Sequence, residues 1–250
     1  MYAGISVGGT DTAAPLNVAA RLRMLESLVP LAGARVIDCG CGAGGYVRAL
    51  RARGIDAVGV EYSAEKVAEY RSAGVEPERV EQGDLEALRF AAGSFDVAIL
   101  NEVLEHVPDE KRALGEIHRL LVPGGQLIVF SPNRRYPFET HGVSWRATGR
   151  RIRPAQTLLL PYLPVSLGER VFDYPARNYW PSELRAMLEA SGFALEPTRY
   201  LWQTFENISG TQPRWMQSIA PLLRRVSAAC ERTPGLRTLG VSQVVAATRL

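Results

Sequence analysis

The stretch VIDCGCGAGGY at residues 36–46 constrains this chain more than any other. A short apolar run ends in an acid, Asp38, and glycines follow at 40, 42, 44 and 45 before a helical pattern begins. Glycines let a backbone turn tightly and approach a ligand closely. Strand, glycine loop and helix open a parallel β-α unit, and the rhythm continues downstream. RVIDCG, DAVGVE, VEQGD, FDVAIL and QLIVFSPN read as strands, and GGYVRALRARG, SAEKVAEYRSAG and DEKRALGEIHRLLVPGG as helices between them. Ser63 stands where an N-cap is expected, Gly54 and Gly74 where helices stop, and Pro-Gly-Gly is expected to end the last. A helix over 15–30 precedes them. The alternation predicts an α/β fold with a doubly wound, mostly parallel sheet. In such sheets ligands sit outside the carboxyl ends of the strands.

The organisation follows from where this rhythm stops. A length of 250 residues suits one domain with an elaborated cap. Residues 1–14 are rich in Gly, Ala and Thr and read as a flexible N-terminus, and 15–133 as a cofactor-binding core. Residues 134–180 hold eight arginines with prolines and aromatics and no period, which reads as a substrate-cap insertion. Residues 181–250 complete the sheet. There WPSELRAMLEASGF reads as a helix with Ser182 as N-cap and Gly192 as stop, followed by apolar runs near 194–204 and 241–248.

Composition excludes several classes. Apolar content of 46% and charged content of 22% suit a chain with a full core. No secretory leader pattern opens the chain, and the most apolar stretch, 157–168, is short and holds two prolines, so neither export nor a membrane span is expected. Cys39, Cys41 and Cys230 form no even framework, and C-G-C is not zinc spacing; a reducing, cytoplasmic setting is expected. Charge is uneven. Residues 1–130 hold 13 basic and 18 acidic residues, a net of −5, whereas 131–250 hold 16 arginines and 8 acids, a net of +8. The arginines form either a solvated face or a surface for an anionic partner.

The glycine loop alone leaves the cofactor open, because Gly40, Gly42 and Gly45 also satisfy G-x-G-x-x-G. Glu61, ending the second strand, suits a ribose diol in either cofactor class. The ordered set of D-x-G-x-G at 38–42, GDLEAL after strand three, LEHVPD after strand four and LLVPGGQLIV resembles the class I S-adenosylmethionine-dependent methyltransferases over residues 34–132. The resemblance implies a Rossmann-like, seven-stranded sheet and S-adenosyl-L-methionine as cofactor. It places Asp38, Gly40, Gly42 and Gly44 under the methionine part, Glu61 on the ribose, Tyr62 near the adenine, Asp84 and the Leu85 amide on the adenine edge, and Asn101 and Glu102 at the methionyl end.

The segment NEVLEHVPDE at 101–110 adds a second signal. If helical, it sets Glu102, Glu105 and His106 on one face. Two carboxylates with an imidazole can hold Mg²⁺ or a transition ion. E-x-x-E-H is similar to the segment in metal-dependent small-RNA 2′-O-methyltransferases and some ubiquinone-pathway O-methyltransferases. In the RNA enzymes a further histidine follows strand five, where this chain has His141. The expectation is a Mg²⁺ (or Mn²⁺) site of Glu102, Glu105, His106 and His141. Without a metal, His106 or His141 becomes the catalytic base. His118 is expected on the outer side of its helix.

Metal-assisted transfer favours an oxygen acceptor. The expected reaction is O-methylation of a hydroxyl on a small molecule: a sugar, saccharide, or lipid- or polyketide-type precursor. Arg134, Arg135, Tyr136, Phe138, Trp145, Arg146, Tyr174, Arg177, Tyr179 and Trp180 are the candidate wall. RNA ribose 2′-O-methylation competes, but positive charge is modest and no appended RNA-binding segment is visible. An NAD-dependent oxidoreductase is disfavoured because no Tyr-x-x-x-Lys occurs, the lysines being Lys66 and Lys111.

Overall fold

The computed structural model describes residues 15–74, 76–153, 156–206 and 214–250; the expected flexible segment 1–14 lies outside the described residues. The central sheet is built first from β1 (Arg35–Cys39), β2 (Asp56–Glu61), β3 (Val80–Gln82), β4 (Phe95–Asn101) and β5 (Leu121–Pro132). These pair in parallel in the order β5-β4-β1-β2-β3. Between them run α2 (Gly45–Arg51), α3 (Ala64–Ser72) and α4 (Glu110–Leu120), with α1 (Pro15–Leu28) ahead of β1. Ser63 caps α3 as expected, its hydroxyl accepting the Lys66 N–H at 3.3 Å.

Residues 134–180 fold as small elements: β6 (Val143–Trp145), β7 (Arg151–Ile152) and β8 (Phe172–Asp173) in a separate antiparallel sheet, and the single turn α5 (Val165–Gly168). Then come α6 (Pro181–Ala190), β9 (Phe193–Leu195), β10 (Arg199–Leu201), α7 (Arg214–Ser218), α8 (Ala220–Arg232) and β11 (Ser242–Arg249). β11 lies antiparallel against β5, and both β9 and β10 pair with β11. Among the described residues the sheet thus has eight strands rather than the expected seven. Pro197 lies between β9 and β10, where a missing N–H interrupts a ladder, so one apolar run makes two short strands.

Each central strand is apolar on both faces, as a helix-covered parallel sheet requires. Ile37, Leu100, Leu127 and Val129 pack with Leu114, Ile117, Leu184 and Leu188 on one face. Val36, Ile99, Ile128 and Phe130 pack with Leu22, Leu25 and Leu50 on the other.

Three local expectations are corrected. Pro-Gly-Gly does not end α4; the helix stops at Leu120, and β5 already includes Pro123, Gly124 and Gly125, with an irregular register between Phe95 and Val97 of β4. Ser182 does not cap α6; Pro181 occupies the first turn, Trp180 is the cap, and the Glu183 carboxylate accepts the Trp180 N–H at 2.8 Å. His118 is partly exposed on α4, its ring meeting Phe193 edge-on at 5.3 Å. The segment 101–110 is not an α-helix. Glu102 sits in the left-handed region at φ 57°, and a 3₁₀ turn covers only Leu104–His106. Pro108 explains it: the residue before a proline is pushed to extended backbone, and Val107 has ψ 131°. The helix restarts behind Asp109, whose carboxylate accepts the Arg112 N–H at 3.0 Å.

Candidate active site

The glycine loop leaves the carboxyl end of β1 and doubles back toward β2. Gly40 and Cys41 donate to the Val60 carbonyl at 2.8 and 3.0 Å. At two positions the loop requires glycine. Gly40 has φ 80°, and a Cβ there would lie 2.6 Å from Val103. Gly44 has φ 74°, and a Cβ would lie 2.1 Å from the buried Tyr70 ring. Glu61 ties the loop to the second strand: its carboxylate accepts from the Gly42 N–H at 2.8 Å and from the Ser63 N–H at 2.9 Å. Asp38 is buried at the end of β1. Leu85 is buried while Tyr62 is half-exposed, and Asp84 accepts the Glu86 N–H at 2.9 Å. Asp38, the loop, Glu61 and Asp84 therefore follow β1, β2 and β3 at one edge of the sheet and could hold a cofactor there.

The exit of β4 carries a separate set of charged groups. Glu102 donates its N–H to the Phe130 carbonyl at 2.9 Å. Its carboxylate accepts from Arg21 at 2.8 Å and from the Ser242 hydroxyl at 2.6 Å. Arg21 also donates to Asn101 Oδ1 at 2.6 Å and to Ser242 at 2.9 Å, and its guanidinium lies over the Phe130 ring. Burial favours the neutral form of Glu102, but Arg21, with His141 and Ser242, outweighs it and keeps the carboxylate below its usual range.

Glu105, His106 and His141 come together, with one ligand-capable atom from each inside a span of 4.8 Å. Glu102 is not part of this group, because Arg21 and Ser242 engage its carboxylate. The Glu105 side chain is wholly buried, and neither carboxylate oxygen accepts a hydrogen bond from a described donor. Burial, then the neighbouring Glu102 charge, push its carboxyl well above the usual range. His141 Nε2 is 3.5 Å from Glu105, and the two imidazoles pack edge-on with centroids 5.2 Å apart. Burial, reinforced by His141, lowers His106 to about 4. The Pro175 carbonyl acts on the His106 ring and partly opposes this lowering, but neither ring nitrogen makes a well-aligned hydrogen bond among the described residues. Buried polar atoms normally have partners. Orphaned oxygens and imidazole nitrogens facing one another form a donor set that fits a divalent cation.

Several residues at this edge carry no signal in the sequence. Arg21 lies in an ordinary helix, and Ser242 starts the last strand. Glu139 is buried beyond β5; it accepts the His141 N–H at 3.0 Å and an N–H of Asn178. Burial raises its carboxyl, partly opposed by His141 and Asn178. Arg134, expected at a substrate wall, is buried and donates to the Pro161 and Leu163 carbonyls at 2.7 and 2.8 Å. It thereby ties residues 134–163 to themselves. A surface cavity of about 610 Å³, lined by Leu28, Asp96, Gln126 and Arg199 among others, opens at the opposite edge, where β4 begins.

A family model for a methyltransferase domain matches residues 37–129, which contain the glycine loop, Glu61, Asp84 and the Glu102–His106 segment. A demethylmenaquinone methyltransferase of Thermus thermophilus is 32% identical over 202 residues, covering 74% of this chain and 84% of the relative. The chain belongs to the class I S-adenosylmethionine-dependent methyltransferases. A ubiquinone biosynthesis O-methyltransferase of Azotobacter vinelandii is 33% identical over 183 residues, covering 70% of this methyltransferase and 71% of the relative. The fold matches an S-adenosylmethionine-dependent methyltransferase from Mesorhizobium loti with a TM-score of 0.60 at 23% identity, covering 94% of this chain and all of that one. The cofactor of this methyltransferase is S-adenosylmethionine. No helix among the described residues is long and apolar enough to cross a membrane.

Proposed function

We propose that the methyltransferase transfers a methyl group to a hydroxyl oxygen of a small molecule, with a divalent cation held by Glu105, His106 and His141. One observation carries this reading: those three side chains bring one ligand-capable atom each within 4.8 Å of one another at the carboxyl edge of the sheet, and neither buried Glu105 oxygen accepts a hydrogen bond from a described donor. When bound, a divalent ion such as Mg²⁺ or Mn²⁺ supplies Lewis acidity toward an oxygen acceptor and lowers the pKa of its hydroxyl. The chain's own residues do the rest. Asp38, Gly40, Gly42, Gly44, Asp84 and Leu85 cradle the donor, and Glu61 receives the ribose hydroxyls. Tyr62 borders the adenine, and Asn101 lies at the methionyl end. Methyl transfer neutralises the sulfonium, so the protein mainly aligns donor and acceptor and lets the acceptor's proton leave.

The choice between cation ligand and free base rests on His106. An imidazole that stays neutral down to about pH 4 is a weak proton acceptor but offers its lone pair readily to a cation. Glu102 has a different role: paired with Arg21, it keeps negative charge beside Glu105 and so disfavours ionisation of Glu105 until a cation compensates.

The names of the two relatives, one in ubiquinone biosynthesis and one acting on demethylmenaquinone, favour a lipid-type precursor over a sugar among small acceptors. The test is methyl-labelled donor incubated with Mg²⁺ and a panel of catechols, polyhydroxylated prenyl aromatics and sugars. An O-methyl product formed in equal amount with demethylated donor is expected. Label appearing only on RNA ribose, or only on carbon or nitrogen, would overturn the reading.

A further inference from the structure

Helices α7 and α8 present an apolar stripe to solvent. Trp215 is 63% exposed, Ile219 38%, Leu222 59% and Val226 51%. In α8 the interval of four between Leu222 and Val226 keeps both side chains on one side, Ala229 extends the line, and Ile219 at the cap and Trp215 on the short α7 lead into it. The opposite side faces the protein: Ala220 and Ser227 are buried, Arg224 donates to the Thr204 carbonyl at 2.8 Å, and Glu231 accepts the Trp202 N–H at 3.0 Å. The stripe is therefore not core, and among the described residues nothing covers it.

Charge says what would cover it. Residues 214–240 contain five arginines and one acid, Glu231, whose carboxylate already takes the Trp202 N–H. Arg225 and Arg232 are exposed and flank the stripe on one side of α8, and Arg237 is exposed just beyond the helix. An antiparallel pairing of two copies through this stripe would set arginine rows against each other with no acids between. Apolar side chains flanked by arginines instead match an anionic lipid surface, with the helix lying along the interface.

Position supports the same partner. β10 ends at Leu201, which pairs with Ser242, and Ser242 pairs with Pro132 at the end of β5. Both α7–α8 and the arginine-rich segment after β5 thus leave the sheet at the edge that carries Glu102, Glu105 and His106. A bilayer against α8 would lie beside that edge.

We propose that the Trp215–Val226 stripe, with Arg225 and Arg232, docks this methyltransferase on the surface of an anionic lipid bilayer. Docking brings the active-site edge next to apolar acceptors dissolved in the bilayer, and that consequence alone rests on the lipid-type acceptor proposed above. The experiment measures binding without turnover, so it stands or falls apart from the acceptor. The full chain is sedimented with vesicles of phosphatidylcholine, alone or mixed with phosphatidylglycerol. Retention on the mixed vesicles and weakening by salt are expected. Leu222→Glu with Val226→Glu should lower the partition at least about tenfold. Arg225→Glu and Arg232→Glu should each lower it about fivefold at low salt. Unchanged S-adenosylhomocysteine binding and circular dichroism show that the variants are folded; a misfolded pair is replaced by Leu222→Gln alone, for which a loss of retention is again expected. Equal retention on both vesicle types, retention unaffected by these substitutions, or a dimer in lipid-free solution that Leu222→Glu dissociates would overturn the proposal.

Discussion

His141 Nε2 lies 3.5 Å from Glu105 Oε1, joining a side chain beyond β5 to one in the turn after β4. These segments are adjacent because β4 and β5 pair in parallel and end at the same edge of the sheet. The contact brings a buried carboxyl to an imidazole at the edge where the glycine loop also ends.

Glu105→Gln is expected to stabilise the metal-free protein at neutral pH. Glu105 is raised well above its ordinary 4.5, by burial first and Glu102 second. Below 4.5 folded and unfolded chains both carry its proton. As pH rises, the unfolded chain releases it first, so the folded state loses stability up to the folded pKa. Glutamine removes that loss. Thermal unfolding in chelator at pH 7.5 should show a higher midpoint for the variant, by about 2–4 °C per kcal/mol gained. Added Mn²⁺ should raise the wild type and leave the variant unchanged.

His106 should titrate near pH 4 in the metal-free protein, as followed by its ring resonances. The unfolded chain binds that proton near 6.5, so metal-free stability should fall as pH drops from 6.5 toward 4 and level off below. A midpoint near 6.5 in the folded protein would show that burial does not govern this imidazole.

His106→Ala and His141→Ala should each reduce turnover by about two orders of magnitude or more while leaving S-adenosylmethionine affinity within about twofold. Single-turnover rates and calorimetry separate the two. Loss confined to cofactor affinity would place these histidines on the donor instead.

Glu61→Ala should weaken S-adenosylmethionine binding about tenfold or more. The carboxylate holds the Gly42 and Ser63 amides and, in the proposed site, receives the ribose hydroxyls; charged hydrogen bonds contribute roughly 1.5–3 kcal/mol each. Calorimetry on the folded variant reads the change; an unaltered dissociation constant would remove Glu61 from the donor site.

Gly44→Ala should destabilise by about 2–4 kcal/mol, because its Cβ would enter the Tyr70 ring in a left-handed backbone. Gly33→Ala shares the positive φ but meets nothing within 4 Å, and should cost only about 1 kcal/mol. Urea unfolding of both variants measures the difference.

The central strands were legible because burial on both faces writes continuous apolar runs into the sequence. The glycine loop after β1 was legible because only glycine tolerates its backbone at Gly40 and Gly44. The turn at 101–107 was only partly legible: E-x-x-E-H has helical spacing, but Pro108 and the left-handed Glu102 unwind it. The ligand-capable group forms nonetheless without Glu102, since Glu105 and His106 share the 3₁₀ turn and tertiary pairing brings His141. Arg21 could not be foreseen, because its partners Asn101, Glu102 and Ser242 are remote in sequence. Helices α7 and α8 were overlooked for a related reason: their apolar stripe faces solvent and gave no core signal.

Binding of Mn²⁺ to the protein loaded with S-adenosylhomocysteine, followed by electron paramagnetic resonance, tests the cation site without needing to know the acceptor. One saturable ion per chain is expected, lost in Glu105→Gln, His106→Ala and His141→Ala and retained in Leu222→Glu. No saturable ion, or an ion that survives all three ligand substitutions, would contradict a cation held by Glu105, His106 and His141.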